Sequence, residues 1–216
     1  MEKNKKFLLV GILVLLVLIA DQIIKIWVKT NYGPYSPAEN ILGEWFVLNY
    51  TENQGMAFGT TLGGGLIGKL ALSIFRVVAI AGIIYYIIKQ IKEGAKTEYL
   101  VALSFVLAGA TGNLIDSAFY DFIFDFDPCI PFNQLEGSGN LMSCTSFGVE
   151  HEVEARNTGF LLGNVVDMFQ FDAEWPESMP WLGGRQVFPA IWNLADGAIT
   201  VGILMVVVRQ KKYFNK

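Results

Sequence analysis

Four apolar runs, each near the length that crosses a bilayer, constrain this chain more than any other feature. A hydrocarbon layer of about 30 Å takes roughly 20 apolar residues in a helix. A helix is required because nothing in that layer can satisfy exposed backbone groups. The runs are Phe7 to about Val28, about Leu66 to Ile88, about Tyr99 to Ala118, and about Pro189 to Val208. A composition 53% hydrophobic and only 17% charged agrees, being too apolar for an ordinary soluble domain. Charge is segregated along the chain. Lys3, Lys5 and Lys6, then Lys89, Lys92 and Lys96, then Arg209, Lys211, Lys212 and Lys216 flank the runs, whereas acids gather in residues 119–188. The positive-inside rule places all three basic clusters in the cytoplasm. Four crossings satisfy this, with both termini inside and segments 29–65 and 119–188 outside. The first run begins like a signal peptide. It continues through Asp21 to Lys25 without a clear small-residue cleavage site, so it is expected to stay as an anchor. The basic clusters abut apolar runs and carry few stacking aromatics, which argues against nucleic-acid binding.

Polar residues inside such runs are costly and by default mark function. Asn193 and Asp196 stand three apart, so a helix puts them on one face. They can equally be a helix cap, Asn193 as N-cap with Asp196 complementing the dipole. Asn113 and Asp116 repeat the spacing near the end of the third run, where the dipole disfavours an anion. Asp116 therefore needs a donor or cation, and Lys25 and Arg76 are available. Asp21 and Lys25, four apart, can pair along the first helix or form the wall of a site that opens outward. Arg76, in the middle of the second run, must face the protein interior. Lys69 is near enough to the outer edge to snorkel. Small residues at 108–112 permit close helix contact.

Outside the runs, alternation over residues 45–51 predicts a strand, with Asn53 to Gly55 as a turn, lying at the bilayer surface as a platform. The stretch Phe132–Asn157 is rich in Gly, Ser, Asn and Glu and reads as an exposed, mobile insertion. Cys129 and Cys144 both lie in the external segment 119–188 and can form a disulfide in an oxidising compartment. With one histidine, His151, expected in an exposed loop, a metal site is poorly supported. No serine or cysteine sits in a nucleophile motif, and Gly63-Gly64-Gly65 lacks the sequel of a phosphate loop. Two acids remain at the outer boundary among apolar neighbours, Asp167 and Asp196. Two nearby carboxyls share one proton readily. One can then activate water while the other protonates a carbonyl, which is peptide hydrolysis without metal or covalent intermediate. A small transporter built on Asp, Lys and Arg relays, or an assembly factor recruiting partners through the acidic insertion, are the competing classes.

Five stretches together carry a resemblance: Asp21-Gln22-Ile23-Ile24-Lys25, Asn53-Gln54-Gly55-Met56-Ala57-Phe58, Gly112-Asn113-Leu114-Ile115-Asp116, Val165-Val166-Asp167 and Asn193-Leu194-Ala195-Asp196. In this order, across four spans, the chain resembles the lipoprotein signal peptidase (signal peptidase II) family. The resemblance implies an all-α polytopic membrane protein with four transmembrane helices, a small extracytoplasmic β platform and, here, a long external insertion, forming a single membrane domain over residues 1–216. It implies an aspartic endopeptidase that cleaves diacylglyceryl-modified prolipoproteins just before the lipidated cysteine, without cofactor or metal. Inhibition by globomycin-type cyclic peptides follows from it, as does a bacterial inner-membrane location with the site at the periplasmic face. Membrane lipid is the other expected partner, and a monomer the expected state. Asp167 and Asp196 match the catalytic pair. Asp21, Lys25, Asn53, Gly55, Asn113, Asp116 and Asn193 match supporting positions. Two departures stand out. Ser117 occupies a place where the family commonly has Arg, a loss that Arg76 is expected to make good. The interval from Asp116 to Asp167 is also longer than usual.

Overall fold

The computed structural model describes residues 2–54 and 65–214. Four helices dominate: α1 (Lys3–Asn31), α2 (Gly65–Lys92), α3 (Thr97–Ile123) and α4 (Leu194–Phe214). The first three are long and apolar enough to cross a membrane. At 1.5 Å per residue, the 29 residues of α1 reach about 43 Å. α4 has 21 residues, and its apolar centre lies between Asp196 at one end and Arg209, Lys211 and Lys212 at the other. α3 is the central helix. It packs on α1, α2 and α4, and it buries a long series from Tyr99 to Tyr120. α1 leaves Leu8, Ile12, Leu15, Ile19 and Ile23 exposed on its outer side, as lipid contact requires.

Close approach of α3 and α4 rests on glycine. A Cβ on Gly109 would stand 2.2 Å from Ala195 O, and one on Gly202 would stand 2.6 Å from Ala102 O. The small residues at 108–112 therefore act as expected. At the basic end, Lys6 Nζ donates to Ala95 O at 2.5 Å, Lys96 reaches Lys212 O, and Lys212 pairs with Glu98 at 2.8 Å. The two termini and the loop between α2 and α3 thus meet at one end of the bundle, where Val10, Ile87, Ile91 and Leu100 form an apolar core.

At the other end lies an antiparallel sheet of β1 (Glu39–Leu42), β2 (Phe46–Asn53), β5 (Val165–Glu174) and β6 (Gln186–Trp192), in the order β1-β2-β5-β6. Val28, Leu48, Tyr120, Val166 and Met168 join it to α1 and α3. The protein is mostly helical, as expected, but with more sheet than the expected small platform. The fourth helix was expected from about Pro189. It starts at Leu194, and residues 186–192 are a strand. Pro189 is compatible because β6 is an edge strand, where a missing N–H costs no ladder bond. The other helices run past their expected ends. α3 continues to Ile123, so Asp116 lies two turns inside it rather than at its terminus.

The insertion carries regular secondary structure. A hairpin of β3 (Leu141–Ser146) and β4 (Val149–Glu154) turns at Phe147-Gly148, both with positive φ, as a two-residue primed turn requires. His151 is on β4, exposed, and not in a loop. Cys129 and Cys144 are disulfide-bonded. The unit is anchored by buried Arg156, which forks onto Asp121 at 3.0 and 2.8 Å. Lys69 does not snorkel; it is buried and donates to Asn164 Oδ1 at 2.9 Å.

Candidate active site

The site forms where the sheet meets the outer ends of α1, α3 and α4. Gly163 brings the chain onto α3: its N–H donates to Ser117 O at 2.9 Å, and a Cβ there would lie 2.4 Å from Asp116 O. The next residues enter β5 already docked. Val166 N–H donates to Asp116 Oδ2 at 3.3 Å, and Asp167 follows, only 1% exposed. Thr51 pairs with Asp167 and Asn53 with Val165, so Asn53 and Asp167 are diagonal neighbours on one face. Asn53 Nδ2 donates to Asp167 Oδ2.

Asp196 arrives through a helix cap. Its N–H donates to Asn193 Oδ1 at 2.9 Å, and Asn193 N–H returns a bond to Asp196 Oδ2 at 3.4 Å, a reciprocal capping box. A third orphan donor, Ala195 N–H, goes to Asp21 Oδ1 of α1 at 2.9 Å. The capping reading of Asn193 and Asp196 therefore holds. It does not compete with a functional one, because the same side chains hold the two carboxylates together. Asn193 Nδ2 donates to Asp167 Oδ1 at 2.6 Å and to Asn113 Oδ1 at 3.1 Å, while Asn113 Nδ2 donates to Asp196 Oδ1 at 2.7 Å.

Beneath the asparagines is a buried ion cluster. Lys25 Nζ lies 3.0 Å from Asp21, 2.8 Å from Asp116 and 2.9 Å from Asn113 Oδ1. The local pairing along α1 is thus only part of its role, and Lys25 is the cation that Asp116 needed. Gln22, absent from the expected site, donates to Asp116 Oδ1 at 2.9 Å and accepts from Tyr120 OH at 3.1 Å. Its position inside an apolar helix, beside Asp21, was the available signal.

Asp167 and Asp196 line one cavity of about 730 Å³, together with Asn53, Arg76 and Asn113 on its polar side and Phe171, Phe188 and Trp192 on its aromatic side. Arg76 Nη1 donates to Ser117 Oγ at 3.3 Å, so the guanidinium of α2 reaches the position where the resemblance led one to look for Arg. Burial holds the Asp167 carboxyl well above the usual carboxylate range, and the nearby Asp196 charge adds to the effect; Lys25, Asn193 and Asn53 oppose it. Gly55 lies outside the described residues. Among the described residues there is no group of three His, Cys, Asp or Glu placed to hold a metal ion. The arrangement can hold a proton on Asp167 beside a second carboxylate, at the edge of a cavity that is largely apolar.

Residues 13–211 match the family profile described as Signal peptidase (SPase) II. A lipoprotein signal peptidase of Porphyromonas gingivalis is 35% identical over 206 residues, covering 92% of this chain and 81% of that protein. One from Amoebophilus asiaticus is 32% identical over 204 residues, covering 91% of this chain and 75% of that protein. The fold also matches a solved bacterial membrane enzyme with a TM-score of 0.59 at 19% identity, over 96% of this chain and 91% of that one.

Proposed function

Because the chain belongs to the signal peptidase II family, and so is a membrane protease that processes lipoproteins, we propose that it cleaves diacylglyceryl-modified prolipoproteins just before the lipidated cysteine, using water activated between Asp167 and Asp196. The single observation that carries the mechanism is the asparagine bridge, in which Asn193 and Asn113 tie both carboxylates to one cavity wall. Asp196, in the first turn of α4, feels the positive end of the helix dipole and serves as base. Asp167, buried and proton-holding, serves as acid.

Water loses a proton to Asp196 as its oxygen bonds to the scissile carbonyl carbon, while Asp167 protonates the carbonyl oxygen. In the resulting gem-diol the C–N bond breaks as Asp196 returns the proton to nitrogen and a hydroxyl proton goes back to Asp167. Each proton transferred in the first step is thereby returned, and both carboxyls end as they began. Arg76 places a positive charge on the same wall and compensates for Ser117. Asp21, Lys25 and Asp116 hold the asparagines from below, and Asn53 holds Asp167 from β2; Gly55 belongs to the same external motif.

In this reading all four helices span the bacterial inner membrane, both termini are cytoplasmic, and the sheet and insertion stand on the periplasmic side. Gathering of the three basic clusters at one end of the bundle supports that orientation, and the Cys129–Cys144 bond suits an oxidising compartment. The protein acts as a monomer within membrane lipid, and globomycin-type peptides compete for the cavity. The test is to incubate detergent-solubilised protein with a diacylglyceryl-cysteine precursor. Cleavage before the lipidated cysteine, blocked by globomycin and lost in Asp167→Asn and Asp196→Asn, is expected. Cleavage that survives in both variants would refute the two-carboxyl mechanism.

A further inference from the structure

The lining of the cavity that holds the two aspartates extends along α4 as far as Thr200 and Val201. Val201 lines it and also lines a second groove of about 370 Å³, whose walls include Leu204, Met205, Val208 and Arg209 of α4 and Glu98 at the start of α3. Gly197, Val201, Leu204 and Val208 recur at steps of four, three and four, so they form a single stripe. Leu204 is 55% and Val208 75% exposed. An exposed apolar stripe on a membrane helix would mean little alone. This one lines a groove, and Val201 at its upper end is also a wall of the cavity that holds the two aspartates.

Length and direction decide what fits. From Asp196 to Arg209 α4 advances about 20 Å at 1.5 Å per residue. The apolar core of a signal peptide has about 7–15 residues, hence on the order of 10–22 Å as a helix. Its cleavage end must reach the aspartates, and its basic leading end must lie toward the cytoplasm. A signal helix would therefore run antiparallel to α4 and place its cations beside Glu98. That carboxylate is half exposed and is shared between Lys212, at 2.8 Å, and Arg209, at 3.7 Å. Exposed ion pairs of this kind change partners at little cost.

Resting on the prolipoprotein reading above, we infer that the groove along Val201–Val208 seats the apolar segment of the substrate's signal peptide, with Glu98 as the counter-charge for its basic leading end. Adjacency to the cavity through the shared wall residue Val201, with an acidic group at the far end of the groove, favours this occupant over a phospholipid chain or a second copy of the protein.

Leu204→Trp and Val208→Trp fill the groove without touching either aspartate. KM for a full-length precursor should rise about tenfold or more, the scale on which an apolar pocket discriminates, with kcat little changed. A short lipopeptide spanning only the cleavage site should be turned over as by the parent, which also shows that the variants fold. Equal effects on both substrates, or none, would overturn the groove assignment. A parent protein that cuts neither substrate would instead overturn the underlying function. A photo-crosslinker at Leu204 should capture the precursor's apolar segment, and one at Ile203 should not; capture of lipid alone or of another copy counts against the inference. Glu98→Gln should raise KM only for precursors with a basic leading segment, and a rise indifferent to that charge would remove Glu98 from the proposal.

Discussion

Lys25→Met tests the buried charge beneath the site. Lys25, Asp21 and Asp116 are each no more than 1% exposed, and one ammonium serves both carboxylates at 3.0 and 2.8 Å. Methionine keeps the apolar stem and removes the charge. Two carboxylates then remain in a buried site, helped among the described residues by Gln22 and the amides of Ala195 and Val166. At least one must take up a proton. For a carboxyl of ordinary pKa, near 4, that costs about 4 kcal/mol at pH 7, in line with the ~3–5 kcal/mol lost when one partner of a buried pair is removed. A loss of about 4 kcal/mol corresponds to roughly 8–16 °C in Tm for a chain of this size. Thermal unfolding in detergent measures it. Because the penalty is paid in protons, it should shrink by about 1.4 kcal/mol for each pH unit below 7. Asp116→Asn in the Lys25→Met background should recover most of it. Activity should fall too, since the lysine fixes which way the Asn113 amide faces: Oδ1 toward Lys25 and Nδ2 toward Asp196. A variant that melts with the parent at pH 7, or a deficit that neither acid nor Asp116→Asn relieves, would refute the account.

Asp167, whose pKa is raised on folding, makes the folded state the better proton binder, so stability is highest below the unfolded value near 4 and is lost as pH rises through the folded one. Asp167→Asn should therefore match the parent in acid melts, exceed it in alkaline ones, and cleave nothing; parent turnover should decline as pH rises through the same window. Gly109→Val must displace Ala195 and the start of α4, so Tm should drop by several degrees and kcat should fall more than tenfold, an overpacking effect of roughly 1–3 kcal/mol or more. Arg76→Ala should cut kcat, and Ser117→Arg in that background should restore part of it; unchanged processing in Arg76→Ala would end the compensation idea. Cys129→Ser opens a crosslink of sequence separation 15, worth about 3 kcal/mol by loop entropy. Proteolysis should then clip the insertion sooner, while cleavage of the precursor continues.

Five polar residues of the site were legible because each stands in an apolar run, where a polar group has no ordinary reason to be. Asp21, Lys25, Asn113, Asp116 and Asn193 were found in this way, and they converge within one network. Residues 186–192 were not legible as a strand. Val187, Phe188, Ala190, Ile191 and Trp192 run straight into the apolar α4, and periodicity cannot separate a short apolar strand from the start of a helix. The hairpin was hidden by composition. Glutamates alternate along β4, but Phe147-Gly148 is a turn pair of which only the glycine is a conventional signal. Arg156 and Lys69 were missed for a different reason: their partners, Asp121 and Asn164, are distant in sequence and not otherwise unusual.

The cap on α4 is assembled from three places in the chain: Asn193 itself, Asp196 one turn on, and Asp21 from the first helix. Asp196 thus acquires its surroundings in the cavity through the very bonds that let the last helix begin. A polypeptide still lacking that helix therefore cannot assemble the cavity wall on which Asp167 and Asp196 are tied together, so the wall is completed only when the last helix docks on the first.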